Sequence, residues 1–112
     1  MDLELNNKIA VVTGGSKGIG YAVAEEFLKE GAIVFICARN KDELASASAS
    51  LVEKYSAEGK VFAFALDGTK EEDMDFLAKQ AASINGSIDV WVNNIGTNKK
   101  REGEYYTEED LD

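Results

Sequence analysis

The chain has no histidine and no proline, and Cys37 is its single cysteine. Each of these absences removes a class of protein. Without histidine, a Ser-His-Asp triad or a His-based metal site cannot be built within these residues. One cysteine cannot close an intramolecular disulfide, and its neighbours Phe35 and Ile36 mark it as a buried thiol. The lack of proline argues against stiff linkers and disordered arms. Basic residues are outnumbered, 12 Lys and Arg against 21 Asp and Glu, giving a net charge of −9 that repels polyanions and disfavours nucleic acid or an anionic membrane as partner. No apolar run approaches the roughly 20 residues of a membrane span. The opening MDLELNNK lacks the basic and apolar regions of a signal peptide, so the expected location is the cytoplasm.

What is present is ordinary for a globular chain: 112 residues, 45% hydrophobic and 29% charged, enough for one core and one small domain. Four short apolar runs alternate with three segments of helical periodicity. The first run, Ile9 to Val12, ends at Thr13 and enters a glycine-dense loop holding Gly14, Gly15, Gly18 and Gly20. From Ile19 the spacing turns helical, with Ile19, Ala22, Val23 and Phe27 expected on one stripe and Gly31 at the end. A helix N-terminus facing a glycine loop favours a phosphate, through its free N–H groups and dipole. The same glycines also serve a turn that is merely tight. A Walker-type phosphate loop is disfavoured, because Tyr21, not Lys, follows Gly20.

The second run, Ile33 to Cys37, completes a strand, helix, strand unit whose crossover hand sets the two strands parallel. Asn40 and Glu43 resemble a capping box opening a helix with Leu44, Ala47, Leu51, Val52 and Tyr55 inward, and Gly59 is expected to end it. Val61 to Leu66 reads as a third buried strand. Thr69 with Glu72 reads as a further capping box, leading to a stripe of Met74, Leu77, Ala81 and Ile84 stopped by Asn85 and Gly86. Ile88 to Val92 is the fourth strand. Lys99 to Arg101 and the acidic stretch after them read as solvated loop, with another helix opening at Thr107. The expected architecture is α/β: a Rossmann-type, doubly wound parallel sheet, present here as its first half with strand order 3-2-1-4.

Thr13, Gly14, Gly18, Ile19 and Gly20 match T-G-x-x-x-G-x-G, and Asn93 to Gly96, NNIG, resembles N-N-A-G. Both motifs, in this order, resemble the short-chain dehydrogenase/reductase family. The surrounding GGSKGIGYA, with Thr97 and Asn98, is most similar to its tropinone-reductase-like branch. The resemblance implies one NAD(P)-binding domain over residues 1–112, truncated at its C-terminal end. It implies a cofactor site formed by Gly14, Ser16, Lys17, Gly18, Ile19, Gly20, Arg39, Asp67, Asn94, Ile95 and Gly96. Arg39, at the end of the second strand, offers a planar cation to a 2′-phosphate where an acid would select NAD, so NADP is expected over NAD, with Lys17 as a second cation. A solvated strand-end cation is the plainer alternative for Arg39. Asp67 takes the place of the family's adenine-contacting Asp; Gly68 and Ile95 depart from the residues usual at their positions.

The implied activity is hydride transfer between NADP(H) and a small carbonyl or alcohol substrate, in a longer protein that forms a homo-oligomer. The family's catalytic Ser and Tyr-x-x-x-Lys have no match here: Tyr21, Tyr55, Tyr105 and Tyr106 lack a Lys four residues on. No catalytic residue and no metal ligand is assigned, and a non-catalytic NADP-binding module or an inert fragment stay open as alternatives.

Overall fold

In the computed structural model, residues 5–94 are described. Strand β1, Ile9–Thr13, is buried at all five positions, as the apolar run Ile9 to Val12 requires, with polar Thr13 buried at its end. Its side chains alternate between two cores. Ala10 and Val12 face helices α1 (Gly18–Lys29) and α2 (Lys41–Tyr55), while Ile9 and Val11 face α3 (Glu71–Asn85). Strand β2 (Ile33–Ala38) repeats the pattern, with Val34 and Ile36 on the first face and Phe35 and Cys37 on the second. The expected fold is therefore observed: one parallel sheet in the order β3-β2-β1-β4, with β3 at Val61–Ala65, β4 at Val90–Asn93, and helices on both faces.

The two faces are filled differently. On the α1/α2 face small residues, Ala10, Ala24, Ala32 and Ala38, let the helices lie close, and Leu44 and Leu51 fill the remainder. Opposite, rings do the filling: Phe35 stacks on Phe62 at 4.8 Å, and Phe64 meets Phe76 edge-on at 5.6 Å. Leu51 and Leu77, one on each face, are 0% exposed, and burying each contributes about 2 kcal/mol. Cys37 is buried in the second core, as its neighbours suggest.

Several boundaries and faces differ from expectation. Helix α1 turns Gly20, Ala24 and Leu28 fully inward, while Ile19 is 53% exposed and Ala22 is also exposed. Close approach to the sheet selects small residues at the inner positions, so the buried stripe sits one residue away from the most hydrophobic one. Strand β3 is half-buried rather than buried, because among the described residues it pairs only with β2. Helix α2 ends at Tyr55 on a left-handed Ser56 (φ 50°), and Gly59 instead belongs to the turn into β3. Strand β4 starts two residues late because Asp89 takes over the first ladder position: its carboxylate accepts from the Ile9 N–H at 2.8 Å. Thr69 is not a cap. Lys70 holds that position without a side-chain bond, and the Thr69 hydroxyl donates back to Asp67. Asn40 is a cap, its side chain accepting from the Glu43 N–H at 2.9 Å. Gly31 and Gly86 close their helices at positive φ.

Candidate functional site

Register brings the C-terminal ends of the strands level: Thr13 lies opposite both Cys37 and Asn93, and Cys37 opposite Phe64. The residues that follow, Gly14, Arg39, Asp67 and Asn94, therefore emerge along one edge of the sheet. Between β1 and β4 the winding reverses, with α1 on one face and α3 on the other, so a crevice opens where α1 begins.

The glycine loop is shaped by contacts that a Cβ would destroy. Gly14 and Gly18 have φ of 68° and 62°, a region open to glycine without strain. The N–H groups of Gly14 and Gly15 donate to the Cys37 carbonyl at 2.9 and 3.1 Å, hanging the loop from the end of β2. At Gly20 a side chain would run into the Gly14 carbonyl and approach Asn94 Nδ2 to 2.8 Å. Helix α1 thus starts directly beneath the loop. Its cap residue, Lys17, is extended and makes no side-chain capping bond, and its first turn carries no acid. By contrast, α2 begins with Asp42 and Glu43, and α3 with Glu71, Glu72 and Asp73. Only at α1 do the first N–H groups and the positive end of the dipole lack a carboxylate of their own, among the helices described.

Thr13 and the two asparagines lock this crevice. The Thr13 hydroxyl donates to Asn93 Oδ1 at 3.0 Å and accepts from the Asn94 N–H at 2.8 Å. Asn94 Nδ2 donates to the Gly14 carbonyl at 3.3 Å, tying β4 to the loop. Thr13 is fully buried, and it carries more of the site than its sequence position as a strand end suggested. Its signal was its place immediately before the glycines.

Lys17 reaches across to α2, where its ammonium lies 3.7 Å from Glu43. With Ser16, Gly18, Tyr21, Ser46, Ala47 and Ser50 these two residues line an open groove of about 510 Å³ between α1 and α2. Tyr21 and Ser50 share a hydrogen bond of 2.8 Å in it, and Glu25 takes both Lys54 and the Tyr55 hydroxyl at 2.9 Å, joining the two helices. Arg39 is exposed at the end of β2. Asp67 accepts from the Thr69 hydroxyl at 2.6 Å and from the Thr69 N–H at 2.9 Å, while its own N–H donates to Asp73. The Thr69 hydroxyl above all, then its N–H and, more weakly, the charges of Arg39 and Lys70 hold the Asp67 carboxyl below the usual carboxylate range.

Of the expected site residues, Gly14, Ser16, Lys17, Gly18, Ile19 and Gly20 are thus gathered at the start of α1, with Asn94 bonded to them and Arg39 and Asp67 along the same edge. Ile95 and Gly96 lie outside the described residues, as do Thr97, Asn98, the Lys99–Arg101 cluster, Tyr105, Tyr106 and the helix expected from Thr107. Among the described residues no helix is long and apolar enough to cross a membrane.

A family model for the short-chain dehydrogenases matches residues 8–112. A tropinone reductase homolog of Arabidopsis thaliana is 38% identical over an aligned stretch of 108 residues, and the match covers 94% of this chain and 39% of that protein. The crystal structure of L-sorbose reductase from Gluconobacter frateurii, complexed with NADPH and L-sorbose, superposes with a TM-score of 0.81 at 38% identity, covering 98% of this chain and 41% of that one. An active-site complex of Pseudomonas aeruginosa RhlG with NADP gives a TM-score of 0.71 at 38% identity, covering 85% of this chain and 37% of that one. The chain spans about two fifths of the length of these relatives. Glycine loop, strand order and asparagine latch agree with what the sequence resembles: the chain belongs to the short-chain dehydrogenase family.

Proposed function

We infer that this chain is the dinucleotide-binding part of an NADP(H)-dependent oxidoreductase acting on a small carbonyl or alcohol substrate. The observation that carries the reading is the start of α1: a first turn without acid or side-chain cap, beneath a glycine loop in which a Cβ at Gly20 would meet backbone. Those N–H groups suit a pyrophosphate. Lys17 and Arg39 would offer cations to an adenosine 2′-phosphate, and Asp67 and Asn94, which leave the same edge of the sheet, would serve the adenine end and the nicotinamide ribose. The NADPH and NADP complexes of the similar reductases support the same choice of cofactor. When bound, the cofactor supplies the hydride, and the part given to these residues is to hold it and keep its phosphates oriented.

A proton donor for the carbonyl is not among them. A tyrosine titrating near pH 10 needs a neighbouring cation to serve at neutral pH, and none of the four has the spaced lysine. That observation favours a second reading, an NADP-binding module without turnover of its own. Purified chain mixed with NADPH and a panel of ketones should leave the NADPH unoxidised under both readings, and turnover would show that a donor lies within these 112 residues; a longer chain carrying Tyr-x-x-x-Lys is expected to turn over only under the first reading. For the cofactor itself, titration of NADP and NAD is the test. A charge-assisted contact with the 2′-phosphate is worth about 1.5 to 3 kcal/mol, roughly tenfold to a hundredfold, so NADP is expected to bind that much tighter and Arg39→Ala to lose most of the difference. Equal affinities in the unmutated chain would reject the reading.

A further inference from the structure

Lys17 is already engaged. Its ammonium sits 3.7 Å from Glu43 Oε1, with both side chains about half exposed. The backbone is held at both ends of this pair. The backbone of Glu43 is fixed in the first turn of α2, where its N–H donates to Asn40 Oδ1 at 2.9 Å and its carboxylate lies near the positive end of that helix. Lys17 is the cap residue of α1, extended at φ −160° and followed by a glycine at positive φ, so its side chain leaves the loop towards α2. Both line the same groove, beside Ser16, Tyr21 and Ser46.

We propose that Glu43 is a specificity-determining residue that competes with the ligand's 2′-phosphate for Lys17 and so limits the preference for NADP over NAD. The proposal rests on the NADP reading above and adds a restraint to it. A ligand without the 2′-phosphate leaves the Lys17–Glu43 pair intact, and Glu43 is then indifferent to binding. A ligand with it must draw Lys17 away, and it also brings a group of nearly two negative charges towards a carboxylate that has just lost its partner. The penalty falls on one ligand and not on the other, which makes it an element of selectivity. Because the pair is exposed, the effect is modest and is screened by salt.

The test uses the adenosine halves of the two cofactors, 2′,5′-ADP and 5′-AMP, titrated into the chain at low ionic strength. Glu43→Gln preserves side-chain length and the backbone N–H that Asn40 caps, and circular dichroism verifies its fold. Its affinity for 2′,5′-ADP is expected to rise about two- to fivefold, with 5′-AMP unchanged. The gain should be smaller in a Lys17→Ala background, where only the direct repulsion by Glu43 is left, and should shrink in roughly 0.5 M salt. Asp42→Asn, the same charge change one residue away, should leave the ratio of the two affinities alone. An unchanged ratio in Glu43→Gln would overturn the proposal, as would an equal gain for both ligands, a gain undiminished by Lys17→Ala, or a matching gain in Asp42→Asn. Unmutated chain that binds both ligands equally would overturn the NADP reading and this proposal together. A clear preference that Glu43→Gln fails to move would overturn this proposal alone.

Discussion

Helices α1 and α2 both follow a strand whose C-terminal end lies on the same sheet edge, and both are preceded by a residue with extended backbone, Lys17 and Asn40. Their first turns are opposite in every other respect. Asn40 closes α2 with a side-chain bond, and Asp42 and Glu43 neutralise its dipole from within. At α1 there is no side-chain cap and no acid, and the helix starts under glycines. One terminus is finished by its own sequence; the other is not, and it is there that the proposed cofactor phosphates would sit. The difference teaches that a binding site can be recognised by the local stabilisation it forgoes.

The comparison can be broken most severely at Gly20. Gly20→Val puts atoms where the Gly14 carbonyl and Asn94 stand, so α1 must move away from the loop; a loss of about 3 kcal/mol in urea unfolding is expected, together with loss of NADP binding. Thr13→Val comes next. It keeps the shape but removes the hydroxyl partner of the Asn94 N–H and of the Asn93 side-chain Oδ1, at a cost of about 2 kcal/mol, and should loosen β4 in hydrogen exchange. The two helix starts are then compared directly. Asn40→Ala should cost about 1 kcal/mol, because it removes a cap, and should leave NADP binding within twofold. Lys17→Ala removes no capping bond, so it should change stability by less than about 0.5 kcal/mol while reducing NADP binding and sparing NAD.

The smallest effect concerns pH at the turn before α3. Hydrogen bonds from Thr69 lower the Asp67 pKa in the folded chain, so the ionised form is favoured there relative to the unfolded chain. Its contribution is present above the unfolded value, about 4, and is lost as pH falls through the lowered folded value. Melting temperatures measured below pH 5 should therefore fall less steeply for Asp67→Asn than for the unmutated chain.

Much of this was legible in the residues because backbone demands are written locally. Four apolar runs, three helical stripes and crossover hand gave the sheet order, and glycines at the first strand end gave the loop. The inward stripe of α1 was not legible from hydrophobicity: close approach to the sheet turns Gly20 and Ala24 inward and leaves Ile19 outside. Thr69 looked like a cap, but Asp67, two residues earlier, captures its hydroxyl. The Lys17–Glu43 pair joins two helices through the fold, and no spacing rule announces it.

The asparagine latch also bears on the order in which the chain assembles. Strand β1 pairs Ile9 with Ile33 on one side and Ala10 with Val90 on the other, so the second pairing closes a chain segment more than three times as long. That difference adds about 1 kcal/mol of loop-closure entropy, and it favours β1, β2 and β3 joining before β4. The bonds from Asn94 to Gly14 and Thr13 then form late and open early. A ligand gripping the glycine loop in its latched shape would hold this last-arriving strand in place by mass action, so occupancy of the proposed cofactor site and completion of the sheet would become one equilibrium.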